Sequence, residues 1–214
     1  MNLTFGSGRL VRAVEDAPAL LIAYRNDSGT DYLNFEPSTP IDALVPEDLA
    51  VTILINSRVG PRAFQAVQKR AHEIDLRSLT AVPLEESTDE GRDRVADTIT
   101  RMAEWPGFAA SVATKVLHKK RPATVPILDN QAIFGAYMNA DWPKRPSSTD
   151  SVYSRNRIRE ALEWIWEDLT AHANQKAWKQ LSALEPDRTR IELFDMVWWM
   201  NFRRLEPVGR TPAI

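Results

Sequence analysis

The stretch EWPGFAASVATKVLHKKRPATVPILDNQAIFGAYM, residues 104–138, contains the strongest local signals in the chain. A proline followed by a glycine at 106–107 interrupts a helix, because proline lacks a backbone N–H and its ring clashes with the preceding turn. Residues 108–120 then place apolar side chains at helical spacing. The stretch therefore predicts two helices joined by a tight hairpin.

A basic run lies toward the end of the second helix. Its members are Lys115, His118, Lys119, Lys120 and Arg121, with no acid between them. A helix N-terminus presents free N–H groups and a partial positive charge, which suits an anion such as phosphate. The hairpin and the basic run together predict a local phosphate-binding patch.

Asp129 ends the apolar strip that follows the basic run. Pro122 and Pro126 prevent a continuous helix before it. The residues alone allow two interpretations of Asp129. It is either the N-cap of the next helix, for which aspartate is among the best residues, or a catalytic carboxylate.

The composition restricts the classes of function. A net charge of −2 and a pI of about 6.0 exclude a globally basic surface, so any nucleic-acid contact must be local. The absence of cysteine excludes disulfides and thiolate-bound metal clusters, and His72, His118 and His172 lack the spacing of a metal site. The acids within its apolar run predict that the N-terminal segment is neither a signal peptide nor a membrane span. We expect a cytoplasmic protein without cofactor, metal cluster or membrane partner.

The rest of the chain is predicted to be mainly α-helical, in one compact unit. Prolines at positions 46 and 61 indicate helix starts. Amphipathic spacing predicts helices within residues 92–105, 152–173 and 187–206. A further helix is predicted directly after Asp129.

The N-terminal segment and one linker carry weaker signals. Residues 8–26 predict a helix or helix pair broken at Pro18, because of the proline. Residues 32–35 predict a short extended piece, so a small β element is expected near the N-terminus. Residues 141–151, with two prolines and three serines, predict a linker.

The quoted stretch resembles the helix-hairpin-helix DNA glycosylases, the superfamily that includes endonuclease III and the 8-oxoguanine glycosylases. The family's hairpin reads Leu-Pro-Gly-Val-Gly and is followed by a helix rich in small residues and an apolar strip that ends in the catalytic aspartate. Here residues 105–109 take the place of the hairpin and 125–128 that of the strip. The spacing from Pro106 to Asp129 matches the endonuclease III pattern without a gap. The similarity covers residues 95–139.

Two departures from the family pattern bear on function. Ala109 replaces the second glycine of the hairpin, so the backbone approaches phosphate less closely. Ser111 stands where bifunctional members carry the lysine that cuts the DNA strand. This is the pattern of members that release the base and leave the strand intact.

The resemblance implies a two-lobed helix-hairpin-helix glycosylase fold over residues 1–214, with residues 95–139 as its DNA-binding and catalytic segment. It implies that a monomer binds double-stranded DNA and that Asp129 stabilises the sugar cation and activates water. The expected DNA contacts are Gly107, Ala109, Ser111, Lys115, His118, Lys119, Lys120 and Arg121. The base pocket between the lobes has Asn130, Gln131 and Trp164 as candidates, although Trp164 also suits a core position.

Two alternatives stay open at this point. The hairpin is also compatible with a DNA-binding protein in which Asp129 only caps a helix. A third interpretation is a helical interaction protein whose basic run is an ordinary solvated face. If the chain is a glycosylase, both repair of damaged bases and removal of a modified base from foreign DNA fit the residues.

Overall fold

The computed structural model of the chain describes residues 2–6, 12–27, 29–36, 38–55, 59–79, 82–139 and 154–205. Within them the fold is mainly helical, which confirms the predicted class. The α-helices are α1 (Ala17–Tyr24), α2 (Gly29–Asn34), α3 (Pro61–Arg70), α4 (Asp89–Ala103), α5 (Ala110–Lys120), α6 (Arg155–Thr170), α7 (Gln175–Leu184) and α8 (Arg190–Leu205). The predicted linker at 141–151 lies outside the described residues.

Several helices begin with the residues that favour helix starts. Pro61 is the first residue of α3. Thr88 caps α4, and its hydroxyl accepts a hydrogen bond from the N–H of Gly91 at 3.2 Å. Ser154 caps α6 in the same way. The helix predicted at Pro46 is present as a 3-10 helix over Pro46–Ile55, and shorter 3-10 turns occur at Ala71–Glu73, Leu84–Glu86 and His172–Asn174.

A small antiparallel sheet lies at the N-terminus. β1 (Leu3–Phe5) pairs with β2 (Arg12–Val14), and Leu3 lies opposite Val14. Both of these residues are buried, so the pairing closes one side of the core. The prediction of a small β element near the N-terminus is confirmed.

The position predicted for that β element is wrong. The residues expected to be extended, 32–35, lie largely in α2. The helix predicted before Pro18 is also wrong, because Arg12–Val14 forms a strand. Pro18 instead lies in the first turn of α1, where its missing N–H has no helical partner to lose.

The buried side chains form one hydrophobic cluster. α1 packs on α8, and α4 packs on both α5 and α6. Trp105, Trp178 and Trp198 are among its largest fully buried members, so tryptophan serves mainly the core here. Within the described residues no helix combines the length and the apolar character needed to cross a membrane.

The N-terminal sheet is held to the C-terminal half of the chain by two buried polar side chains. Both carboxylate oxygens of Asp168 accept a hydrogen bond from the N–H of Gly6 at 2.8 Å. Asn174 accepts from the N–H of Thr4 at 3.0 Å and donates to its carbonyl at 2.9 Å. Tyr137 also donates to Asp168. These bonds satisfy backbone groups that would otherwise be buried without partners.

Candidate active site

Two helices joined by a tight turn form the frame of the site, as predicted from the sequence of residues 104–120. α4 ends at Ala103 and α5 starts at Ala110. Gly107 in the turn has φ of +85°, a conformation that glycine adopts without a Cβ penalty. A Cβ added there would lie 2.8 Å from the backbone nitrogen of Ala63, so the turn also approaches α3 closely.

The apolar strip that leads to Asp129 is bonded to α5. The hydroxyl of Thr114 accepts the N–H of Leu128 at 3.0 Å and donates to the carbonyl of Ala110 at 2.8 Å. Nδ1 of His118 bonds the carbonyl of Val125 at 2.7 Å. The strip therefore has a fixed position relative to the helix, and so does the carboxylate at its end.

Asp129 lies shortly before a π-helical segment, Ala132–Tyr137. Its Oδ1 accepts the N–H groups of Gln131 at 2.8 Å and Ala132 at 3.0 Å. The side chain is 27% exposed, and its Oδ2 lies 4.0 Å from Nζ of Lys115. One oxygen thus fixes the carboxylate, while the other faces a cation at the edge of the solvent.

Lys115 is a buried amine beside this carboxylate. Burial lowers the pKa of Lys115 below its usual range, and the negative charge of Asp129 partly offsets that effect. The backbone carbonyl of Lys115 accepts the hydroxyl of Tyr32 at 2.8 Å, which links α5 to α2. The lysine is thus held within the site.

A second carboxyl group, Asp195 on α8, also contacts the strip. Its Oδ2 is 3.4 Å from the backbone nitrogen of Ile127, a long hydrogen bond. Burial raises the pKa of Asp195 well above its usual range, and the charge of Glu192 adds to this effect. The strip is therefore bonded to both α5 and α8.

The basic run does not form an exposed patch, and the predicted phosphate contacts are corrected here. His118 is 1% exposed, and burial lowers its pKa to about 4, so it is neutral near pH 7. Nζ of Lys119 donates to the carbonyl of Leu33 at 2.9 Å and lies 4.6 Å from the ring centroid of Tyr32. Burial lowers the pKa of Lys119 to about 8.

Lys120 and Arg121 are also turned into the protein. Nζ of Lys120 lies 2.7 Å from Oδ1 of Asp48, and both side chains are almost completely buried. The guanidinium of Arg121 donates to the carbonyls of Leu76 at 2.8 Å and Leu79 at 3.0 Å, and it pairs with Asp42 at 2.6 Å. These cations join α5 to residues that are distant in sequence, and their charged groups are engaged within the protein.

One family model matches the chain over residues 18–202, that of DUF6308, a family of unknown function. The chain belongs to this family. The match includes the whole site from Gly107 to Asp195 and leaves out β1 and β2. Comparison with curated proteins and with solved structures gives no significant match.

Of the other predicted site residues, three are at least partly exposed and two are buried. Ala109 is partly exposed at the turn, whereas Ser111 is buried on α5. Asn130 and Gln131 are exposed beside Asp129. Trp164 is 7% exposed and packs edge-on against Tyr137 at a centroid distance of 6.0 Å, a core position rather than a pocket wall.

One concave space formed by the described residues does not have Asp129 in its lining. It is a cavity of about 220 Å³ between α1, α2 and α8. Its lining residues are Tyr24, Arg25, Leu33, Asn34, Glu185, Arg188 and Met196. No group of three or more histidine and acidic side chains suited to a metal ion occurs in the described part of the chain.

Sequence reasoning missed two residues of the site, Thr114 and Asp195. Thr114 lies on the apolar face of α5, where a hydroxyl requires a hydrogen-bond partner. Asp195 interrupts the apolar run LFDMVWW in α8. Each is a polar residue within an apolar pattern, and this is the signal that would have found them.

Proposed function

We propose that this chain is a monofunctional DNA glycosylase that hydrolyses the bond between deoxyribose and a damaged or modified base. The observation that supports the proposal is the placement of Asp129. Its carboxylate is fixed by two backbone N–H groups, remains partly exposed, and follows a helix–turn–helix unit at the spacing of the glycosylase pattern.

Asp129 would act on the charge that develops during base release. Loss of the base builds positive charge on the sugar, and a pre-positioned carboxylate stabilises it without having to reorganise. The same carboxylate orients or deprotonates the attacking water. Lys115 keeps the carboxylate in place in the free protein, and the sugar cation competes with this lysine as the reaction proceeds.

Substitution of Asp129 tests the proposal. Asp129→Asn retains the amide-capping oxygen and loses the charge, so we expect base release to fall by roughly a hundredfold or more while DNA binding is retained. The assay incubates a panel of duplexes with damaged and hypermodified bases and then cuts abasic sites with hot alkali. Asp187→Asn, at an exposed loop position, is the matched control and should behave as wild type.

Wild-type activity in Asp129→Asn would remove the catalytic assignment. Binding of DNA by the wild-type protein, without abasic sites on any substrate, would instead support the second candidate, a non-catalytic DNA-binding protein. That candidate is favoured by one observation: Oδ1 of Asp129 accepts two backbone N–H groups at the entry to the helical segment, a structural role that needs no catalysis.

We further propose that the enzyme leaves the strand uncut. β-Elimination needs an amine that attacks C1′ of the sugar and forms a Schiff base, and the hydroxyl of Ser111 cannot do this. The amine of Lys115 lies within reach of Asp129, but it is engaged with that carboxylate. We expect borohydride to trap no protein–DNA adduct. An adduct that disappears in Lys115→Ala would assign strand cleavage to this lysine.

A further inference from the structure

The cavity between α1, α2 and α8 combines a buried apolar part with a polar rim. Three of its lining residues are almost completely buried, and we call them the floor: Tyr24, Leu33 and Met196. The other four are exposed or half-buried, and we call them the rim: Arg25, Asn34, Glu185 and Arg188. Ligand sites usually have this composition, in which an apolar surface provides contact area and a few polar groups fix the orientation of the ligand.

The rim is held in place by its own hydrogen bonds. Arg188 donates to the carbonyl of Leu33 at 3.3 Å and to the side chain of Asn34, which joins the connection before α8 to α2. Arg25 and Glu185 form an ion pair of 2.6 Å between the ends of α1 and α7. The cavity is therefore preformed, so a ligand does not have to order it on binding.

Several hydrogen-bond donors of the rim are left over. Nη1 and Nη2 of Arg188 have acceptors, whereas its Nε has none within the described residues. Nη1 of Arg25 and Nδ2 of Asn34 also lack an acceptor there. Among the rim carboxylate oxygens, Oε2 of Glu185 is the one without a donor. A ligand that completes the rim must therefore bring acceptors rather than donors.

The charge of the rim agrees with this count. It contains two guanidinium groups and one carboxylate, and that carboxylate is already paired with Arg25. Carboxylates form strong, charge-assisted hydrogen bonds with guanidinium groups. A sulfate or phosphate ion offers similar oxygens but leaves the apolar floor without a partner. The ligand that uses both parts of the cavity has an anionic head and an apolar body.

The size of the cavity limits that body. Drug-sized ligands occupy pockets of about 300–1,000 Å³, which is more than this cavity provides. A dry cavity of about 150 Å³ holds one benzene molecule. A volume of about 220 Å³ is therefore enough for one aromatic ring or short chain together with a single polar head.

We propose that this cavity binds a small monocarboxylate, with its carboxylate at Arg188 and Arg25 and its apolar body on the floor. The lining does not include Asp129, so the site goes beyond the proposed function and does not depend on it.

The test uses benzoate as the probe and the methyl group of Met196 as the reporter. Methyl-labelled methionine is followed by NMR in the full chain, and Met196→Leu assigns the signal. We expect a saturable shift of the Met196 signal with a Kd of about 1 mM or lower. The signal of Met102, which is buried on α4 outside the cavity, should not move.

Two further molecules separate the contributions of the head and the body. Benzyl alcohol keeps the ring and lacks the charge, whereas sulfate keeps the charge and lacks the ring. Each should bind at least about tenfold more weakly than benzoate, because each loses either the charge-assisted hydrogen bonds or the burial of apolar surface.

Variants of the rim test the position of the carboxylate. Arg188→Gln should weaken benzoate binding about tenfold or more. Arg25→Gln should weaken it about twofold to fivefold, because this cation is more exposed to solvent. Arg155→Gln is the matched control, since Arg155 is also exposed and ion-paired but does not line the cavity, and it should bind as wild type. Thermal melts check the folding of each variant, and Arg25→Gln decides if Arg188→Gln does not fold.

The other outcomes overturn the proposal. Equal affinities of the rim variants and wild type, or of benzoate and benzyl alcohol, would overturn the assignment of a carboxylate ligand. A Met196 signal that does not move with benzoate up to about 20 mM would overturn the site itself. Neither result bears on base release by Asp129, so this site and the proposed function fail independently.

Discussion

The C-terminal half of α5 and the exposed face of α3 are both rich in positive charge, and the fold treats them in opposite ways. On α5 the cations of residues 115–121 point into the protein and bond carboxylates and backbone carbonyls. On α3 the cations Arg62 and Lys69 face solvent without partners among the described residues. The basic run of residues 115–121 is the denser of the two in sequence, yet its cations are engaged by groups within the protein.

The difference shows that partners, rather than charge density, decide what a cation does. Lys119 bonds a carbonyl 86 residues away, and Lys120 bonds Thr39 and Pro40 at similar separations. Such cations act as cross-links between α5 and the segment that precedes α3. Buried charges are tolerated only when they are paired and hydrogen-bonded.

The largest effect that distinguishes the two regions is expected at the buried pair of Lys120 and Asp48. Asp48→Ala leaves the charge of Lys120 buried and unpaired, so it should lower the free energy of unfolding by about 3–5 kcal/mol. Urea denaturation measures this. The double variant Asp48→Leu with Lys120→Met, which removes both charges, should recover most of the loss. A loss under about 1 kcal/mol for Asp48→Ala would show that the pair is not structural.

The pH dependence of stability should report on His118. Its pKa is lowered to about 4 by burial, below the usual value of about 6.5 in the unfolded chain. The unfolded state therefore takes up the proton first as the pH falls. The stabilisation by neutral His118 is present above pH 6.5 and is lost between pH 6.5 and 4, on the order of 3 kcal/mol.

His118→Asn provides the comparison for this prediction. The amide nitrogen of asparagine takes the place of Nδ1 and does not titrate. Denaturation curves between pH 4 and 7 should therefore fall less steeply for the variant than for wild type. Parallel pH profiles would contradict the neutral state of His118.

A smaller effect is expected at Arg121. Its guanidinium reaches the carbonyls of Leu76 and Leu79 together with Asp42, a geometry that an ammonium group does not reproduce. Arg121→Lys should lower the free energy of unfolding by about 1–3 kcal/mol. The measurement is again urea denaturation, with Arg94→Lys at an exposed position of α4 as the control.

The smallest effect on stability is expected on α3. Arg62→Ala and Lys69→Ala remove exposed side chains that make no bonds within the described residues, so each should change the free energy of unfolding by less than about 0.5 kcal/mol. A larger loss of stability would show that these cations have internal partners and would erase the contrast with α5.

Much of the helical framework was predictable because its signals are local. Proline at the start of α3 and apolar spacing within α4, α6 and α8 depend on neighbouring residues. The N-terminal strands were misplaced because each has three residues, too few for a period. β1 and the residue after it are also bonded to Asn174 and Asp168, which are remote in sequence.

The residues of the site differ in the same way: some were predictable from local sequence and others depend on how the helices pack. The position of Asp129 shortly before a helical segment followed from the prolines before it and from its capping tendency. Its neighbours did not follow, because Thr114, Lys115 and Asp195 reach the strip only when α5 and α8 are packed. The prediction that the basic run is an exposed patch was wrong for the same reason, since the sequence shows a cation without showing its partner.

The attachment of β1 also has a consequence for the order of events during synthesis. The N–H of Gly6 is bonded by a carboxylate 162 residues further along the chain, and that of Thr4 by an amide 170 residues further. At 5–20 residues per second, a ribosome supplies these partners on the order of ten seconds after the strand has been made. β1 is therefore among the last elements to reach its native position, and in a nascent chain halted before α6 these backbone groups still lack their partners.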